Sequence, residues 1–237
     1  MSKLQDLITR LCPDGVPFKP LGELGEFFGG LTGKSKDDFK DGNAKFITYM
    51  NVYSNPSLNL NITDFVKVSP TEKQNQIKKG DILFTGSSET PNECGITSVV
   101  TKNVDEPIYL NSFCFGLRLK EKEIFLPDFL KHCMRGFEMR QQISKTASGV
   151  TRFNVSKARL AKVLIPVPPL EVQEEIVKIL DRFTEYTAEL QAELQAELQA
   201  RKEQYEYYRN LLLTFNPSAC GVGTDGEQEM SKMGGGN

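Results

Sequence analysis

One histidine stands in 237 residues, and the five cysteines include no C-x-x-C pair. A lone His132 has no imidazole partner, so a zinc site built on paired histidines is excluded. The odd, unspaced set Cys12, Cys94, Cys114, Cys133 and Cys220 points to free thiols in a reducing cytoplasm, not to a secreted disulfide framework. No apolar run approaches the ~20 residues of a membrane-spanning helix. The N-terminus places Leu4, Leu7, Ile8 and Leu11 on one face, which reads as an amphipathic helix start and not as a signal peptide. Nucleotide-binding motifs are missing too. Gly29-Gly30 through Lys34-Ser35 resembles a phosphate loop, but the required first glycine is Phe28. Gly221, Gly223 and Gly226 match G-x-G-x-x-G, but no strand precedes them. No Asn/Asp-Pro-Pro-aromatic tetrapeptide and no nuclease-like carboxylate cluster occurs. No catalytic residue, metal or cofactor is therefore expected, nor any membrane association.

Proline and glycine are also absent from residues 170–215, where Ala, Glu, Gln, Leu and Lys dominate. Pro168 and Pro169 suit a helix start, Glu171, Glu174 and Glu175 favour its N-terminal dipole, and Asn216-Pro217 supplies a stop. The stretch predicts one helix of about 44 residues, roughly 65 Å long. Its apolar positions are Val172, Ile176, Ile179, Phe183, Tyr186, Leu190, Leu194, Leu198, Tyr205, Tyr208 and Leu212. They step by three and four, with consecutive steps of four at the tandem repeat TAEL-QAEL-QAEL-QA (187–200), a stutter that straightens a supercoil. Arg201 is the only charged member of the seam. Such a seam predicts pairing with another long helix as a coiled-coil spacer. A generic dimerisation coiled coil is the plainer alternative.

Negative charge is missing from residues 139–170, which hold Arg140, Lys145, Arg152, Lys157, Arg159 and Lys162 and no acidic residue. Residues 1–169 carry 23 Lys/Arg against 18 Asp/Glu, and residues 170–215 carry 5 against 10. A head with a basic end on an acidic rod points toward a polyanionic partner.

In chain order, a helix over residues 2–11 is followed by strands at 18–28, 46–53, 62–68, 82–84, 96–100 and 108–119. Helices follow at 126–134 and 137–145, then a helical turn at 156–161 and a last strand at 163–167. This predicts an α+β fold, a mixed-sheet head with a curved or barrel-like sheet over residues 1–167, then the long helix over 168–215. Residues 216–237 read as a disordered tail.

Two polar loops carry the chemistry that remains. Residues 145–157 offer Lys145, Thr146, Ser148, Thr151, Arg152, Asn154 and Lys157; residues 85–90 offer Ser87, Ser88, Glu89 and Thr90. Short donors of this kind suit phosphate oxygens, while Arg152 and Glu89 suit guanine and cytosine edges. Lys34 and Lys36 of the polar loop at 29–43, with Thr48 and Tyr49 of the next strand, complete the candidate DNA-contacting set. A solvated surface loop with an Asn cap is the bland counterpart.

Longer motifs narrow the reading. ASGVTRFNVSK (147–157) and IPVPPLEVQEEIVKILDRF (165–183) resemble the specificity subunit of type I restriction–modification systems. The Ala-Glu-Leu repeats and KEQYEYYRNLL (202–212) are similar to its spacer helix. LCPDGV (11–16) with PLGEL (20–24) is similar to the start of its target-recognition domain. The resemblance implies a non-catalytic subunit that reads double-stranded DNA and assembles with adenine-methyltransferase subunits and an ATP-dependent restriction subunit. That family carries two recognition domains and two helices, whereas this chain has one of each. A homodimer with antiparallel helices would restore the pair through Ile176, Ile179, Phe183, Leu190, Leu194, Leu198, Tyr205, Tyr208 and Leu212. The alternatives are a coiled-coil adaptor that binds protein, a truncated or silent specificity cassette and, least supported, an enzyme.

Overall fold

A computed structural model describes residues 2–215. The helices are α1 (Lys3–Leu11), α2 (Leu21–Leu24), α3 (Tyr49–Ser54), α4 (Pro127–Cys133), α5 (Phe137–Ser144), α6 (Lys157–Leu160) and α7 (Leu170–Leu213). The strands are β1 (Phe18–Pro20), β2 (Gly25–Gly29), β3 (Ala44–Ile47), β4 (Phe65–Val66), β5 (Ile82–Thr85) and β6 (Ser87–Ser88). They continue with β7 (Thr97–Val99), β8 (Ile108–Leu110), β9 (Cys114–Leu119), β10 (Ala147–Ser148), β11 (Phe153–Val155) and β12 (Leu164–Pro166). The expected tail, residues 216–237, lies outside the described residues. By its internal contacts the chain divides into two units, residues 1–183 and 184–237.

The strands fall into four sheets rather than one. An antiparallel sheet in the order β2-β9-β5-β7 forms the centre of the first unit. Successive side chains of a strand point to opposite faces, and β5 uses both. Ile82 and Phe84 enter one core with Phe115, Leu117, Phe129, Leu130, Met134 and Ile143. Leu83 enters the other with Ile47, Val52, Ile108 and Leu110. All four residues of β5 are buried, which is why residues 82–84 read as a short apolar run. Phe84 and Phe115 stack with ring centroids 5.1 Å apart. Gly116 faces the Phe28 ring so closely that a Cβ has no room. Two smaller sheets, β4-β3-β8 and β1-β12, and the sheet β10-β11-β6 surround this centre.

Several predicted elements change in the structure. Residues 46–53 split: β3 ends at Ile47 and α3 begins at Tyr49, because the Thr48 hydroxyl accepts from the Asn51 N–H and caps a helix. The strand expected at 18–28 is interrupted by α2, which starts after Pro20. The strand expected at 108–119 becomes β8 and β9, joined by a turn closed by the Cys114 N–H on the Asn111 carbonyl at 3.0 Å. Of residues 62–68 only β4 is strand.

The predicted helix is α7, 44 residues long. Gln173, in its first turn, is fully buried. Its amide oxygen accepts from the Leu126 N–H, and its amide nitrogen donates to the Ile124 and Pro168 carbonyls, at 2.8–2.9 Å. Asp181 accepts from Lys131 Nζ at 2.9 Å and His132 Nε2 at 2.7 Å. Partial burial raises the Asp181 carboxyl, but the bonds from Lys131 and His132 outweigh it and hold the group below its ordinary value. From Tyr186 onward the seam residues Leu190, Leu194, Leu198, Tyr205, Tyr208 and Leu212 are exposed, whereas Ile176 is partly buried against the core.

Candidate nucleic-acid interface

The two polar loops singled out in the sequence are strands of one sheet. β6 pairs with β11, setting Ser88 opposite Phe153 and Ser87 opposite Asn154. β10 pairs with the other edge of β11. The hairpin between β10 and β11 turns at Gly149, whose φ of 152° and whose contact with the Arg152 carbonyl leave no space for a side chain. At the end of β5, the Gly86 N–H donates to the Phe113 carbonyl at 2.8 Å, and the Gly86 carbonyl accepts from Val155 at 3.0 Å. The chain thereby leaves the central sheet and carries β6 across to β11.

A cleft of about 490 Å³ opens over this junction, lined by Tyr49, Tyr53, Ser87, Ser88, Glu89, Glu93, Phe113, Thr151 and Arg152. Arg152 donates from Nε to Ser87 Oγ at 3.1 Å, and its guanidinium lies 5.8 Å from the Phe113 ring centroid. That bond steadies the group by one nitrogen, and its terminal nitrogens make no hydrogen bond among the described residues. Tyr49 donates to the Ser87 carbonyl at 2.9 Å and stacks on Tyr53. Glu93 accepts from Thr90 at 2.8 Å and Tyr53 at 2.9 Å, which keeps its carboxyl below the ordinary range. An adjoining cleft of about 290 Å³, sharing Phe113, is lined by Gly29, Gly30, Thr32, Gly86, Asn154 and Lys157 among others. The Lys157 ammonium sits 5.0 Å from the Phe115 ring centroid.

Of the fifteen candidates, Tyr49, Ser87, Ser88, Glu89, Thr151, Arg152, Asn154 and Lys157 therefore share one region. The others lie elsewhere or do other work. Lys34 donates to the Lys67 carbonyl and pairs with Glu72, its side chain 7% exposed. Lys36 opens a 3-10 turn, and Lys145 ends α5 at the surface. Thr48 caps α3, and Thr90 bonds Glu93. Thr146 is buried and donates to the Ile143 carbonyl. Ser148 is exposed in β10, opposite Asn154.

Arg140, counted in the acid-free stretch, is also internal: it donates to the carbonyls of Gly95, Asn92 and Cys94 at 2.6–2.8 Å. Burial draws its pKa down. The cations left exposed in that stretch are Lys145, Arg152, Lys157, Arg159 and Lys162. Sequence reasoning missed Phe113, Tyr53 and Glu93. For Glu93 a signal existed, since Thr90-Pro91-Asn92-Glu93 has capping-box spacing. Phe113 had none, because an aromatic run predicts burial. Burial pushes the Cys114 and Cys133 thiols up to about 12. Among the described residues no His, Cys, Asp and Glu cluster that could hold a metal is present, and no helix is long and apolar enough to cross a membrane.

An α+β head presenting a polar and aromatic cleft, with a single long helix at its C-terminal end, defines the class. The chain belongs to the family of type I restriction modification DNA specificity domains, whose model matches residues 13–200. The specificity subunit of the Escherichia coli type I restriction enzyme EcoR124I/EcoR124II is 27% identical over 211 residues, 84% of this chain and 48% of that protein. A putative type I restriction enzyme specificity subunit of Haemophilus influenzae is 56% identical over 73 residues, 29% of this chain and 19% of that protein. The fold is also that of the HsdS subunit from Thermoanaerobacter tengcongensis, with a TM-score of 0.51 at 20% identity, covering 79% of this chain and 44% of that one. A chain from a structure of the type I R-M system gives a TM-score of 0.53 at 20% identity, covering 86% and 50%. The chain spans about half the length, or less, of the relatives it matches.

Proposed function

We propose that this chain is the DNA-reading component of a type I restriction–modification complex and reads one half of a bipartite site. The observation that carries the reading is the pairing of β6 with β11. It gathers Ser87, Ser88, Glu89, Thr151, Arg152 and Asn154 around two adjoining clefts, from loops some 60 residues apart. Arg152, held at Nε, presents its terminal nitrogens as a fork of the kind that matches guanine O6 and N7. The other exposed cations of the stretch, Lys145, Lys157, Arg159 and Lys162, neutralise phosphates without reading sequence. Four such contacts give a log–log salt slope of about −3 to −4 per head. Residues 1–167 are the reading part and 168–215 the spacer.

The chain itself carries out no chemistry on this reading. Methylation and cleavage belong to adenine-methyltransferase and restriction subunits, and the assembly works in the cytoplasm. The exposed apolar seam of α7 pairs antiparallel with that of a second copy, which gives two heads and an inverted-repeat target. Selection from randomised duplexes by the full chain with its methyltransferase subunits tests the reading. One inverted-repeat consensus and a steep salt dependence support it. Flat, weak binding with no consensus contradicts it and favours a protein-binding adaptor.

A further inference from the structure

Phe113 is 59% exposed, yet it sits on one of the most firmly tied turns of the head. Its N–H donates to Asn111 Oδ1 at 2.8 Å, and its carbonyl accepts from Gly86. Both ends of the turn are tied as well. The Asn111 N–H donates to the Ile47 carbonyl at 2.9 Å, and the Cys114 carbonyl accepts from the Gly30 N–H at 3.3 Å. Gly86 and Gly30 pass so close to this turn that a Cβ on either meets the carbonyl of Phe113 or of Asn111. Other exposed aromatics, such as Phe137 and Phe18, lie away from the cleft. Phe113 alone forms a wall of both clefts, with Arg152 on one side and Asn154 and Lys157 on the other.

We infer that Phe113 is a wedge that inserts its ring between two neighbouring base pairs of the half-site, so that the two clefts read the bases flanking that step. This deepens the DNA-reading function proposed above and rests on it. A rigid apolar ring flanked by cations suits the task. Unstacking a step costs a few kcal/mol. Pyrimidine–purine steps yield most easily, so the step under the ring is expected to be TA or CA/TG. Specificity at that position then arises from deformability and not from a hydrogen bond to a base edge.

The test uses the full chain with its methyltransferase subunits and the selected half-site, with 2-aminopurine placed at each position in turn. Apart from the target adenine that the methyltransferase flips out, wild type is expected to raise fluorescence at one step only. Phe113→Ala, expected to melt like wild type because the side chain is exposed, is expected to abolish that rise and weaken specific binding about ten- to a hundred-fold. Phe113→Trp is expected to restore both. Replacing the step with a stiff AA step is expected to weaken wild type and to leave Phe113→Ala unaffected. Specific binding with no unstacked step overturns the wedge and leaves the reading function standing. So does a Phe113→Ala chain that loses only its methyltransferase subunits. A wild-type complex that discriminates among no sequences overturns both.

Discussion

Residues up to Phe183 and residues beyond it are held together by different kinds of bond. In the first unit, side chains reach far along the sequence. Arg135 donates to the Thr97, Val52 and Tyr53 carbonyls, and Lys3 reaches Glu175 across 172 positions. In the second, Gln199 bonds Glu203, Arg201 reaches Gln204 and Glu197, and Thr214 reaches Asn210, all within one turn of helix. A network that spans the chain makes each position depend on remote ones. A ladder of local bonds lets residues be added or removed without disturbing what lies before them. The first kind suits a surface whose geometry must be held, and the second suits a length that must be adjusted.

The sharpest way to break this contrast is to remove Arg135. Arg135→Ala strands three carbonyls, each worth ~1–3 kcal/mol when left unpaired, so a loss of about 3–5 kcal/mol is expected in chemical denaturation. Gln173→Ala leaves the Leu126 N–H and the carbonyls of Ile124 and Pro168 without partners, and about 2–3 kcal/mol is expected. This variant also places the division between units, because Gln173 lies on α7 but belongs to the first network.

Acid gives a third test. Hydrogen bonds from Lys34, then Gln74 and the Ser69 N–H, lower Glu72 to about 2 from an ordinary value near 4.5. A carboxyl depressed on folding favours the folded state above its unfolded value. The Lys34–Glu72 clamp therefore contributes fully above about pH 4.5, and its contribution is lost as pH falls toward 2. Proton NMR of Glu72 is expected to show the lowered titration, and Lys34→Met to return it toward 4.5. The smallest effect is expected in the second unit. Arg201→Ala removes an exposed i,i+4 pair with Glu197 and is expected to change stability by less than about 0.5 kcal/mol. A loss like that of Arg135→Ala would erase the distinction between the two regions.

The same contrast explains what could be read from the sequence. The 44 residues of α7 were legible because helix propensity, proline flanks and periodicity are local. The polar character of residues 85–90 and 145–157 was legible too, but their adjacency was not. β6 and β10 consist of serine and alanine, poor strand formers, and strand pairing is written nowhere near either residue. Residues 46–53 look like a strand because they are aromatic and β-branched. A single hydroxyl, that of Thr48, turns them into a helix that supplies Tyr49 and Tyr53 to the cleft. Lys34 and Arg140 illustrate a further limit: composition counts a cation without saying whether it faces water or a carbonyl.

One measurement bears on the division of labour more directly than any other. Deleting residues 191–194 removes one copy of the repeat and shortens the helix by ~6 Å, less than two base steps of ~3.4 Å. Single-molecule mapping of methylated adenines is then made in cells carrying the wild-type or the shortened chain. The account predicts the same half-site bases with a spacer one or two base pairs shorter. An unchanged spacer, or altered half-site bases, would contradict it.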